Sequence, residues 1–454
     1  MNRSAPIVRL SKPLSRLCIV TAVLILLTSS FDIFLVLEAG GNYRLCQMIA
    51  PVLVFFAIIK SIRGNRVPVL GALPLCIWFA FQVLFIAATD FWPKSLGYCL
   101  WLLLNLSLVF SFVQLFSDDL RTLTVILRWY VYSSAIVAAF GILQFCLPLF
   151  GFGGPLVKQW WIPDQLARVN GFSYEPSYFA TYLLIGFVFA GSLRRNGSSL
   201  LPSRTLFGIR WLLAIGIFLS SSRMGILFLF FDVFSSQIGS WVALIADFLR
   251  LRFAPFKLRA LVPSFISLAA LAVITTGMLQ AVERYPAIAL IFLNGTGISD
   301  TPAHSVIQRE DALEDTFTVF LQHPLIGRSL GGVSSAIADL HGETIQSFEA
   351  SKDFEGMSVF AEVLAASGVI GTIPFVWFLI ATFRKPLQAA RTASAYYSTV
   401  LYALLRSLAF AWVMLQFNQN LLRVYLWTHI AILATVYAAA LQSVKTGVVL
   451  RRAA

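Results

Sequence analysis

Three stretches of the chain combine an arginine with groups able to bind an anion or move a proton. In the first, Arg168-Val-Asn-Gly-Phe-Ser-Tyr-Glu175-Pro176, a guanidinium and a carboxylate lead into an apolar segment. Proline is favoured in a first helical turn and Glu suits the positive end of a helix dipole, so Glu175-Pro176 reads as a helix start. Capping alone explains such a start; so does an anion and hydroxyl site built from Arg168 and Glu175. The second stretch, Ser220-Ser-Ser-Arg223-Met-Gly225, is a tight break between two apolar segments. A guanidinium at membrane depth costs from about 2.5 to more than 10 kcal/mol, so Arg223 has to pair, snorkel to the interface or serve a ligand. In the third, Arg309 opens an acidic helix (Glu310, Asp311, Glu314, Asp315) ahead of His323-Pro-Leu-Ile-Gly-Arg328, with His341 beyond it. Those acids also fit a solvated helix face that pairs with Arg309 and Arg328. His304, His323 and His341 match no metal-ligand spacing, so no metal is expected.

Arginine is the side chain best suited to gripping phosphate in two-point fashion in a partly dry site. With all three stretches on one face, the expected ligand is a lipid pyrophosphate, its tail in the bilayer and its head among the arginines.

The elements that position these residues are membrane helices. Of 454 residues, 58% are hydrophobic and only 12% charged, and the mean hydropathy is +0.81, whereas soluble domains are about 25% charged. Stretches of roughly 20 apolar residues recur, long enough to cross about 30 Å of hydrocarbon, and none alternates as a barrel strand would. The expected spans are 17–37, 45–62, 68–89, 95–116, 123–149, 176–193, 205–221, 224–247, 261–282, 358–383, 398–417 and 424–443, about twelve helices in a single all-α membrane domain over 1–454. The net charge of +13 does not imply nucleic acid, because the basic residues lie between apolar segments. Lys60/Arg63/Arg66, Arg194/Arg195/Arg204, Arg250/Arg252/Lys257/Arg259, Arg384/Lys385/Arg391 and Lys445/Arg451/Arg452 all fall on one side, which the positive-inside rule makes cytoplasmic, with both termini. Arg44, Lys94 and Arg423 occupy short loops opposite. Residues 17–37 read as an uncleaved first span, since no small-residue cleavage site follows. Cys18, Cys46, Cys76, Cys99 and Cys146 read as buried thiols.

Two outer loops exceed what linkage needs: 151–175 and 284–357, the latter a partly helical cover with a helix around Arg309 to Gln322 and a break at His323-Pro324. No internal repeat supports an inverted-repeat transporter. Asp32, Asp232, Arg128, Arg210 and Arg406 nevertheless keep a path of ionisable groups through the membrane open as a second reading.

The stretch from Arg168 to Ile380 resembles the bacterial superfamily of O-antigen ligases and O-antigen or exopolysaccharide polymerases. The likeness lies in the order of Gly171-Phe-Ser-Tyr-Glu-Pro-Ser-Tyr-Phe-Ala180, Ser222-Arg223-Met-Gly225, Arg309 ahead of His323-Pro-Leu-Ile-Gly327, and Glu362-Val-Leu-Ala-Ala-Ser-Gly-Val-Ile-Gly371. The resemblance implies an inner-membrane enzyme with a large periplasmic loop, a metal-independent glycosyl transfer without cofactor, and undecaprenyl-pyrophosphate-linked glycans as donor and acceptor. A chain-length regulator and a flippase are the implied protein partners. It assigns Arg223 and Arg309 to the pyrophosphate and its growing charge, with help from Arg168; Arg328, His323 and His341 are further candidates for substrate contact. Family ligases commonly carry a His-Asn pair where this chain has Met357 and Ser358. Neither is a base at neutral pH, so the expectation shifts from a lipid A-core ligase to a polymerase, with Glu175 as first candidate base and His341 or an acid of the large loop in reserve.

Overall fold

The computed structural model describes residues 12–38, 42–63, 67–154, 156–162, 166–235, 304–345, 347–348, 350–417 and 421–445. The expected span 261–282, the second half of 224–247 and the first part of the 284–357 loop lie outside them.

The described chain is a bundle of α-helices: α1 (Lys12–Thr28), α2 (Leu45–Ile62), α3 (Ala72–Leu84), α4 (Trp92–Phe116), α5 (Leu120–Cys146), α6 (Pro176–Arg195), α7 (Ser203–Leu219), α8 (223–235), α9 (His304–Gln322), α10 (Val333–Leu340), α11 (Val359–Thr392), α12 (Ala395–Met414) and α13 (Val424–Lys445). Seven helical stretches among the described residues are long and apolar enough to cross a membrane. Exposed apolar side chains recur at helical spacing, as in Val369, Ile370, Ile373, Val376, Trp377 and Ile380 of α11. A continuous apolar stripe of that kind suits lipid, not water. In contrast, 89% of the most apolar stretch of both α6 and α13 is buried, so these two helices form the centre of the bundle. α6 packs against α7 and α12, and α13 against α4.

Helix starts follow local chemistry. Asp119 caps α5 by accepting from the amides of Arg121 and Thr122 at 3.1 and 3.2 Å. Pro176 occupies the first turn of α6, as expected for a residue with no amide to leave unsatisfied.

Several elements differ from the sequence reading. The third expected span contains a helix of only 13 residues, bounded by Gly71 in the left-handed conformation and by a 3-10 turn at Ile86–Ala88. The apolar run following Thr28 leaves the helix and forms a small antiparallel hairpin, β1 (Val36–Glu38) with β2 (Asn42–Arg44). A second hairpin, β3 (Trp160–Ile162) with β4 (Leu166–Ala167), stiffens the 151–175 loop. Cys18, Cys46 and Cys99 are buried, but Cys76 is exposed, because it shares the outward side of α3 with Leu73 and Ile77.

α11 is two helical segments joined at Gly368, whose φ of 57° and ψ of −171° suit only glycine. The break frees backbone groups on both sides, and the turn after α9 takes them up. Arg328 and Ser329 amides donate to the Ala365 and Ala366 carbonyls at 3.0 and 2.7 Å, while Val369 and Ile370 amides donate to Pro324 and Leu325 at 2.8 and 3.1 Å. A Cβ on Gly327 would sit 2.5 Å from the Ala365 carbonyl oxygen, and one on Gly368 2.3 Å from the Leu325 carbonyl carbon. The His323-Pro-Leu-Ile-Gly327 turn and the Ser367-Gly368 break are therefore one interlocked unit. Trp78 and Gln82 of α3 pin it by donating to Ser367 Oγ at 3.0 and 2.7 Å.

Candidate functional site

Arg168, Glu175, Arg223 and Arg309 come together at one end of the bundle, termed here the site face. Burial depresses the Arg168 guanidinium from its usual range; Glu175 opposes that shift, and Arg223 and Arg309 add to it. One carboxylate and two further guanidiniums therefore act on Arg168 from different parts of the chain.

The loop carrying Arg168 and Glu175 is held by Gln144 of α5. The side-chain oxygen of Gln144 accepts from the Asn170 and Gly171 amides at 3.2 and 2.9 Å, and its nitrogen donates to Leu156 O and Asn170 Oδ1 at 2.8 and 3.0 Å. Gly171 has a φ of +56°, and a Cβ there would lie 2.5 Å from the Phe179 ring. Phe172 is stacked between Phe31 and Phe140, with centroids 4.0 and 3.9 Å away. These contacts fix the backbone on the N-terminal side of Glu175, whose carboxylate accepts from Ser177 Oγ at 2.9 Å.

Arg223 is set by the Ser220-Ser-Ser turn. Ser221 takes a positive φ of 52°, an uncommon conformation for a residue with a side chain. Ser222 then accepts from the Gly225 amide at 3.3 Å as the cap of α8, which places Arg223 in the first turn at the positive end of that helix. Gly225 lets α8 approach α6: a Cβ would stand 2.8 Å from that of Ala180. Arg309 is delivered by α9, which packs against α11.

The remaining candidates are engaged elsewhere. Arg328 donates to the Ala88 carbonyl at 3.2 Å and lies 3.9 Å from Asp90. Partial burial and Arg328 depress the His323 imidazole, against a weaker pull from Asp90. His341 is 2.9 Å from Asp315, a hydrogen bond that raises its pKa. The structure thus assembles Arg168, Glu175, Arg223 and Arg309, and does not draw His323, Arg328 or His341 into the same contacts.

Sequence reasoning missed a second belt at the same face. Asp32, 7% exposed, pairs with Arg44 at 3.0 Å and Arg423 at 2.6 Å. Arg423 lies over the Tyr178 ring, 3.7 Å from its centroid, and Tyr178 senses Glu175 and Glu355 as well as Asp32. Glu355 accepts from Lys94 at 3.1 Å and from Tyr98 at 2.9 Å. Glu362, in the first turn of α11, is 7% exposed and lies within electrostatic reach of Glu355 and Lys94. Its carboxylate makes no hydrogen bond among the described residues. Arg44, Lys94 and Arg423 were legible as cations on this face; their acidic partners were not. Ser358 caps α11 and donates to Gln416 at 2.9 Å.

Among the described residues, the other ionisable side chains do not form a path to this belt. Asp232 is met by Arg195, Arg210 and Arg406, and Arg128 donates to the Leu200 carbonyl at 3.0 Å. Chemically, the site face offers guanidiniums for a phosphorylated anion, with the Glu175 carboxylate acting on Arg168 and the buried Glu362 carboxylate within reach of Glu355 and Lys94 as groups able to take a proton. Compared with known proteins, the chain matches no family model and no characterised sequence.

Proposed function

We propose that this protein is a polysaccharide polymerase of the bacterial inner membrane, joining oligosaccharide repeat units carried on undecaprenyl pyrophosphate. On this reading the site face is periplasmic, both termini are cytoplasmic, and the chain crosses the membrane about twelve times. The observation that carries it is the convergence of Glu175, Arg223 and Arg309 on Arg168 from separate segments of the chain. Arginines so placed suit a pyrophosphate whose negative charge grows as it leaves. In the reaction, an acceptor hydroxyl oxygen attacks the donor's anomeric carbon, the bond from that carbon to phosphate breaks, and the hydroxyl proton passes to a carboxylate. Glu175 is the first candidate; Glu362, buried and without a hydrogen-bond partner among the described residues, is the second.

A ligase is the nearest alternative, and Ser358 speaks against it, because in this chain that position caps a helix. A flippase is less well supported, since among the described residues the ion pairs of Asp32 and of Asp232 form separate clusters instead of lining one route. The test is the glycan profile of a strain lacking the protein, complemented with wild type, Arg223→Ala or Arg309→Ala, with membrane levels checked. Arrest at a single lipid-linked repeat unit in the null strain and both variants supports the polymerase. Long lipid-linked polymer that never reaches its final carrier identifies a ligase, and repeat units held on the cytoplasmic leaflet identify a flippase.

A further inference from the structure

Three arginines meet a single acid on the opposite side of the bundle. Asp232 of α8 is fully buried. Its Oδ2 accepts from Arg210 at 2.8 Å, and its Oδ1 accepts from Arg406 Nε and Nη2 at 3.1 and 2.8 Å. Arg195 reaches both oxygens only at 3.4 Å, near the limit of a useful hydrogen bond. Among the described residues, three positive charges meeting one negative leave an excess of two. Such an excess in a poorly solvated place draws in an anion.

The geometry shows where that anion would go. Arg210 is turned inward, its guanidinium stacked on Phe187 with 4.3 Å to the centroid. Arg195 and Arg406 are 29% and 33% exposed and share the wall of a cavity of about 410 Å³ with Ser192, Asn196, Thr399 and Tyr402. Two guanidiniums and four neutral hydrogen-bonding side chains suit a tetrahedral oxyanion. The volume falls in the range of small-molecule sites and exceeds what a bare phosphate fills. Arg195 ends α6, the helix that begins at Glu175, so this cavity and the site face lie at opposite ends of one helix.

We propose that the cavity between α6 and α12 is a binding site for a phosphate-bearing anion, gripped by Arg195 and Arg406. This does not depend on the polymerase reading. The ligand is either the headgroup of an acidic phospholipid or a soluble phosphate, and the two sources are separable by experiment.

The test uses the full chain in nanodiscs of phosphatidylcholine, of phosphatidylcholine with phosphatidylglycerol, and of phosphatidylcholine with inorganic phosphate in the buffer, followed by thermal unfolding and native mass spectrometry. Wild type, Arg195→Gln, Thr399→Phe and Arg223→Ala are compared. Thr399→Phe fills the cavity and leaves every arginine in place, and Arg223→Ala controls for binding at the site face. A ligand that binds only the folded state raises its melting temperature. We expect phosphatidylglycerol or phosphate to stabilise wild type and, through the cavity, still to stabilise Arg223→Ala, in which binding at the site face is removed. Arg195→Gln should weaken binding about tenfold, the loss of one charge-assisted contact, and Thr399→Phe should abolish it. A response to phosphatidylglycerol alone assigns a lipid headgroup; a response to inorganic phosphate assigns a soluble ligand. No response to either, or one unchanged in Arg195→Gln and Thr399→Phe, overturns the proposal.

Discussion

At each end of α6 three arginines are grouped with one carboxylate, and the two groups are built in opposite ways. Around Asp232 the arginines come from α6, α7 and α12, and their hydrogen bonds converge on a carboxylate with no exposed surface. At the other end Arg168 comes from a loop, Arg223 from the first turn of α8 and Arg309 from α9; Glu175, Arg223 and Arg309 all act on Arg168, and the acid is only partly buried and accepts from neighbouring Ser177. The ratio of charges is the same, so stoichiometry does not separate structure from function. The distinction lies in what the acid does: Asp232 ties helices together, whereas Glu175 is left with oxygen capacity for a substrate.

The sharpest way to break that comparison is to neutralise each acid. Asp232→Asn leaves three guanidiniums without a counter-charge, and breaking a buried ion group in this way costs about 3–5 kcal/mol. We expect a large loss of folded protein in the membrane, measured by fluorescence-detected size exclusion and thermal unfolding. Glu175→Gln should leave abundance near wild type and lower turnover instead. Equal loss of abundance in the two variants would erase the distinction.

Next in size are the arginines themselves. Removing one donor from a charge-stabilising site typically costs about 10²–10³ in rate, and that is the expected drop in polymer formation for Arg223→Ala and for Arg309→Ala at normal membrane level. Because both act on one charged group, the double variant should fall little further than either single one. Glu362→Gln, run beside Glu175→Gln in the same assay, tells which carboxylate takes the proton: the true base loses activity without losing abundance.

A smaller effect is expected where the two motifs interlock. Gly368→Ala introduces a Cβ 2.3 Å from the Leu325 carbonyl carbon and forces alanine into a glycine conformation. Strain of that kind costs about 1–3 kcal/mol, read as a lowered melting temperature. Gly208, where a Cβ meets nothing within 4 Å, provides the control: Gly208→Ala should be neutral or slightly stabilising.

How much of this was legible beforehand depended on the kind of signal. Apolar runs announced the membrane helices because length and composition suffice. Arg168, Glu175 and Arg223 stood out because each interrupts or borders such a run, and Arg309 because it opens an acidic helix within the large loop. The partners of Asp32 and Asp232 did not, since an ion pair between Asp32 and Arg423 joins residues at opposite ends of the chain and leaves no local trace. The short α3 was hidden for a related reason. Its surroundings are apolar enough to read as a full span, while its end is set by Ser329 and Leu330, which bond to Gln82 at 3.0 and 2.8 Å. Glu362 was visible only as the first letter of a motif, and its burial against Lys94 and Glu355 is a tertiary fact.

The mildest contrast within the site face concerns His341, outside the arginine group and joined to Asp315 at 2.9 Å. That hydrogen bond, then the charge of Asp315, raises the imidazole pKa above its ordinary 6.5. A raised folded-state pKa means the link between α9 and the turn after α10 contributes fully below pH 6.5 and is lost as pH rises through the higher folded value. His341 is half exposed and Asp315 a quarter exposed, so the effect on stability is small. Limited proteolysis of the 333–345 segment should therefore quicken modestly as pH rises past 6.5, and Asp315→Asn should make the rate nearly independent of pH once the protease's own profile is divided out. Polymer formation should follow neither change. If it tracked the His341 titration and lost that dependence in Asp315→Asn, His341 would belong with the arginines after all, and the site would extend from α8 across α9 to the end of α10.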